Sequence, residues 1–261
     1  MSFDRLHTPL DAVSSEPSPL VLAQFIPRQY EPNYPYPLLV HFHARGADEE
    51  QLVRAMPALS WRNYVGLGLR GPEPVIKRDH LAGYGWGPEF EQPGRKRPRA
   101  HAKASEAEVV RRAFFGAEPE PIDRLEESVF ESILQTRRLF HTHSERIFLV
   151  GCGEGAAVAY WLGLTFPERF AGVVAINGWL PVGLRPLCRL KACRNLAVLV
   201  VHGAWNTRVP LCDARQNVAT LRAGGLRVAF QSYPSAHRLS NAMLSDVDTW
   251  LMGHCTAGPT D

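Results

Sequence analysis

The sequence lacks the features that would set it apart from an ordinary globular chain. No stretch approaches the roughly 20 consecutive apolar residues of a membrane-spanning helix. The opening Met1-Ser2-Phe3-Asp4-Arg5 lacks the apolar run of a secretory leader. One-sided charge is missing too: 29 Lys and Arg stand against 26 Asp and Glu, a formal net charge of +3. That balance is too even to point to a nucleic-acid partner. Cysteine is sparse, and Cys152, Cys188, Cys193, Cys212 and Cys255 show no CxxC spacing. An odd, scattered set supports neither a disulfide framework nor a zinc site. Whether Cys188 and Cys193 pair depends on geometry, not spacing. Reduced thiols and the missing leader together predict a cytoplasmic protein with no membrane span.

Metal and cofactor signatures are absent as well. No two histidines share one helix face at ligand spacing, and His141-Thr142-His143 is read as a solvated helix end. Gly151-x-Gly153-x-Gly155 has the wrong glycine spacing for a dinucleotide loop, and no ribose-binding acidic residue follows. No cofactor and no metal are implied.

What is present is enough apolar content for a buried core: 45% hydrophobic against 21% charged residues over 261 positions. Strands are predicted at Leu20–Ile26, Pro37–His43, Tyr64–Leu69, Ile147–Val150, Ala171–Ile176, Leu196–His202 and Arg227–Ser232. Between them fall helices from Asp48, an N-cap residue, to about Leu59, from Asp123, and over Glu154–Phe166, Leu211–Ala223 and Leu239–Met252. This alternation predicts an α/β fold, a mostly parallel central sheet with helices on both faces. Ligands of such sheets bind beyond the carboxyl ends of the strands. The loops after Val40, Val150, Val201 and Phe230 should therefore gather on one edge. Residues 1–19 read as a loose lead-in, 20–253 as one domain and 254–261 as a tail, with a basic, proline-rich insertion at about 88–121.

Three blocks on those loops carry chemistry. The first is Pro37-Leu-Leu-Val-His-Phe-His43-Ala44-Arg45-Gly46. The second is Arg146-Ile-Phe-Leu-Val-Gly151-Cys152-Gly153-Glu154-Gly155, followed by Pro167-Glu168-Arg169-Phe170. The third joins His202-Gly203 and Val209-Pro210 to Tyr233-Pro234 and His237. In this order they resemble the α/β-hydrolase superfamily, specifically its carboxylesterase, phospholipase and thioesterase branch, from about Pro37 to Leu251.

The resemblance implies an α/β-hydrolase fold, a small acyl or ester-like ligand, and a site with two departures. The nucleophile position holds Gly153, which has no atom to acylate. The acid position holds Asn206, which cannot support an imidazolium electrostatically. His237 keeps the position of the base. Ala44, Arg45 and Glu154 stand where an oxyanion site and its pocket are expected. The resulting expectation is an esterase-family protein inactive as a serine hydrolase, with a ligand or partner pocket retained.

Two other readings stay open. Cys152 or Glu154 could replace the missing serine, with His237 as base, giving an active ester or thioester hydrolase. The run Arg95-Lys96-Arg97-Pro98-Arg99, with Lys103, could instead make the chain a binding or scaffold protein, although a solvated loop is the plainer reading of so short a patch. His43 and His202 are expected to hold their loops by hydrogen bonds. Arg45 either attracts an anionic ligand or is solvated, and Tyr84–Trp86 either lines the pocket or packs a long loop.

Overall fold

A computed structural model describes residues 20–92, 121–181 and 191–256. The sheet has seven strands: β1 (Leu22–Phe25), β2 (Tyr36–Phe42), β3 (Val65–Leu69), β6 (Thr142–Cys152), β7 (Gly172–Ile176), β8 (Ala197–Gly203) and β9 (Arg227–Tyr233). Their order is β1-β3-β2-β6-β7-β8-β9. Only the edge pair β1–β3 is antiparallel, and the other pairs are parallel. Strands β2, β3, β7 and β8 are buried at every residue, as parallel strands covered on both faces must be.

Alternation along the strands divides the core. Leu38, Val40, Phe42 and Leu149 face a cluster completed by α2 (Pro121–Leu139), α3 (Glu154–Thr165) and α4 (Leu211–Ala223). Leu39, Phe148, Val150 and Cys152 face the opposite cluster, closed by α1 (Glu50–Leu59) and α5 (Asn241–Thr256). Helix α3 is apolar all round and buried over Glu154–Leu164. It therefore sits in the interior, where strand-end geometry is tightly constrained.

Several boundaries differ from expectation for physical reasons. Helix α1 begins at Glu50, not Asp48, and the Glu49 side chain makes no capping bond. The Asp48 carboxylate instead meets Arg54 at 3.3 Å, and Arg70 Nε donates to Glu49 at 2.7 Å. Asp123 lies inside the first turn of α2. His141, just past the end of α2 at Leu139, is exposed and His143 is half-buried, but between them the buried Thr142 opens β6, and His141 N donates to the Tyr30 hydroxyl at 2.7 Å. Helix α5 continues to Thr256, three residues into the expected tail.

The stretch after Gly71-Pro72 forms an unforeseen hairpin, β4 (Glu73–Lys77) and β5 (His80–Gly85). Its two-residue turn, Arg78-Asp79, takes positive φ at both positions, the twist-matching turn that Asn-Gly usually signals. The basic run Arg95–Arg99 and Lys103, most of the insertion, and Cys188 lie outside the described residues.

Candidate active site

Strand β6 ends in a turn whose backbone leaves little choice of residue at three positions. A Cβ on Gly151 would lie 2.2 Å from Gly155 O, and one on Gly155 would lie 2.1 Å from Phe42 O. Both positions therefore exclude any side chain. Gly153 is different. It adopts φ 56° and ψ −117°, a conformation that strains any L-residue, yet a Cβ there would have room. Its neighbours would be Ala44 Cβ at 3.4 Å and His237 Nε2 at 3.5 Å. The strand-to-helix turn, the loop after β2 and the loop after β9 thus converge on the space beside Gly153.

Asn206 completes the group from the loop after β8. It is buried, and its Nδ2 lies 3.0 Å from His237 Nδ1. Its Oδ1 accepts from the backbone N–H of Arg208 at 3.0 Å and of Val209 at 3.1 Å. His237 is held neutral: burial first, then Arg208 and His202, lower its pKa to about 4.

Asn177 was not among the residues singled out in the sequence. It follows β7 at φ 52°, accepts from Gly203 N at 2.8 Å and faces Asn206 Nδ2 at 3.3 Å. The Asn177-Gly178 dipeptide, a turn signal, is the only hint of it in the sequence.

The expected oxyanion residues divide. The Ala44 N–H donates to Gln51 Oε1 at 3.0 Å, so Ala44 presents a methyl group to the site rather than a donor. Arg45 is half-buried and ion-paired: its Nη1 meets Glu154 Oε1 at 2.9 Å and Glu73 at 3.8 Å. Glu154 is buried, and its Oε2 accepts from Trp86 N at 3.3 Å. Burial raises the Glu154 pKa against the pull of Arg45. With both oxygens engaged, this carboxylate braces β5 against α3 and is not positioned as a nucleophile.

Cys152 points away from the site. Its Sγ lies 3.6 Å from His41 Nε2 in the cluster beneath α1 and α5, and burial pushes its thiol up to about 12. A thiol so rarely ionised, on the wrong face of the sheet, cannot attack a ligand beside His237.

His43 and His202 hold their loops, as expected. His43 Nε2 accepts from Gly71 N at 2.9 Å and its Nδ1 contacts Ala44 O at 2.9 Å. His202 Nε2 contacts Val209 O at 2.8 Å. Trp86 packs on the Phe42 and His43 rings and donates to His43 O at 2.8 Å, which makes it a packing residue. Among the described residues, no group of three or more His, Cys, Asp or Glu could hold a metal ion. No helix among them is long and apolar enough to cross a membrane.

The phospholipase/carboxylesterase family pattern matches residues 122–255. The carboxylesterase SOBER1 of Arabidopsis thaliana is 26% identical over 140 residues, 50% of this chain and 60% of that protein. An Oryza sativa subsp. japonica protein named "Probable inactive carboxylesterase" is 25% identical over 112 residues, 42% of this chain and 46% of its own. The chain thus spans less than two thirds of the length of these relatives. Among solved structures, Zea mays acyl-protein thioesterase 2 superposes with a TM-score of 0.64 at 16% identity, over 90% of this chain and 98% of that one. The fold is that of the α/β-hydrolase esterases.

Proposed function

The chain belongs to the phospholipase/carboxylesterase family, and on that premise we propose that it binds an acyl or ester-like small molecule without hydrolysing it as a serine esterase does. One observation carries this reading. At the point 3.5 Å from His237 Nε2 where a nucleophile's Cβ would stand, Gly153 offers no side chain. Asn206 in the acid position supports it, because an amide leaves an imidazolium uncompensated. Cys152 and Glu154 offer no substitute, given the contacts each already makes. A cytoplasmic location fits the free thiols of Cys152, Cys212 and Cys255.

The test is hydrolysis of short p-nitrophenyl esters by the full chain and by His237→Ala and Cys152→Ala. No enzyme-dependent turnover is expected from any of them. Turnover by the wild type that disappears in His237→Ala would sink the proposal.

A further inference from the structure

Resting on that non-hydrolytic reading, we propose that Asn206 fixes His237 as the Nε2–H tautomer, and that the space at Gly153 therefore receives a carboxylate. The argument begins with the amide. Two backbone N–H groups, of Arg208 and Val209, point at one end of the Asn206 side chain at 3.0 and 3.1 Å. Backbone N–H groups only donate, so that end is the carbonyl oxygen. The NH₂ end then has two neighbours and two hydrogens. One neighbour is Asn177 Oδ1 at 3.3 Å, already oriented by the Gly203 N–H at 2.8 Å. The other is His237 Nδ1 at 3.0 Å.

A donor facing Nδ1 makes that nitrogen the acceptor. In a neutral imidazole the proton must then sit on Nε2. This inverts the arrangement an esterase needs, in which an aspartate accepts from Nδ1–H and leaves Nε2 bare to take a proton from serine. Here Nε2–H is a donor, aimed at the volume a serine side chain would fill.

That polarity selects the ligand. An ammonium directed at Nε2 would set donor against donor, whereas a hydroxyl or an ester carbonyl can accept from it only as a neutral group. A carboxylate only accepts, and a charged acceptor strengthens the bond roughly twofold over a neutral carbonyl. Arg208 adds positive charge near His237, enough to help depress its pKa. Arg45 is already neutralised by Glu154. The ligand class is thus a free carboxylic acid, the kind of product that ester hydrolysis elsewhere releases.

Long-range ¹H–¹⁵N correlation spectra of the full ¹⁵N-labelled chain at pH 7.5 report the tautomer directly. The expected pattern is a bare Nδ1 and a protonated Nε2 at His237, inverted in Asn206→Asp. Octanoate should shift the His237 Nε2 resonance saturably and at lower concentration than octanol or methyl octanoate, whose oxygens accept without charge; equal affinities would overturn the preference for a carboxylate. In His237→Phe octanoate affinity should fall about tenfold or more. A protonated Nδ1 in a wild-type chain that hydrolyses nothing overturns this inference alone, as does octanoate binding that His237→Phe leaves unchanged. Ester turnover dependent on His237 overturns the reading beneath it.

Discussion

Asn206 and His237 meet nitrogen to nitrogen, the amide Nδ2 lying 3.0 Å from the ring Nδ1. On the proposed reading, that contact and the glycine at 153 each separate the site from that of a serine esterase. Gly153→Ser alone should hydrolyse p-nitrophenyl butyrate no faster than the wild type, since Nε2 has no lone pair to offer. Adding Asn206→Asp should raise the rate by about 10⁴, the size of the wrong-tautomer penalty in a serine triad. Equal rates for the single and double variants would contradict the contact's role.

The Arg45–Glu154 pair is lopsided, with side chains 23% and 1% exposed. Arg45→Met strands a buried carboxylate and should lower unfolding free energy by about 3 kcal/mol, the low end for a pair whose other member is part-exposed. Glu154→Gln leaves a cation that still has water and Glu73 within reach, and should cost no more than about 1 kcal/mol. Urea unfolding at pH 7 measures both, and equal costs would show that burial does not set the asymmetry.

Much of this was legible in the sequence. The apolar runs at Leu38–Val40, Val173–Ile176 and Val198–Val201 are buried parallel strands, and the loops after β6, β8 and β9 bring Gly153, Asn206 and His237 together. The hairpin escaped because Arg78 and Asp79 take positive φ without the glycine or asparagine that advertises it. Asn177 escaped because its role lies in partners 26 and 29 residues distant, which local sequence does not encode. The role of Trp86 stayed open for the same reason, since it takes up the His43 carbonyl from 43 residues along the chain.

Stability should fall on mild acidification. Burial lowers the His41 pKa to about 3, with His43 adding to the shift, and His237 lies at about 4, both below the ordinary 6.5. Between those values the unfolded chain takes up protons that the folded chain refuses, so stability is full above about 6.5 and drains as pH falls. Glu154, its pKa raised, works in the opposite sense at the acid end. The melting temperature of His41→Leu should accordingly vary less with pH from 7 to 4.5 than the wild type's. Parallel curves would show that His41 is protonated in the fold as readily as outside it.

Thiol reactivity should separate the cysteines by exposure. Iodoacetamide at pH 8, read by peptide mass mapping, should modify exposed Cys212 in the native chain and spare Cys152, which is buried with its pKa near 12. In urea the two should react alike. Native labelling of Cys152 at the rate of Cys212 would falsify the inward orientation.

Glycine at 153 also biases the direction in which this lineage can change. A serine at φ 56°, ψ −117° carries strain of about 1–3 kcal/mol, a deficit any mutation that introduces it must survive before it confers an advantage. With Asn206 in place that mutation brings no catalysis, and Asn206→Asp arriving first finds no nucleophile to serve. Neither single step is rewarded, and one of them costs stability. On the proposed reading the turn therefore couples two positions: an acyl-enzyme at this site needs both substitutions together, while changes in what the space beside His237 binds need only one.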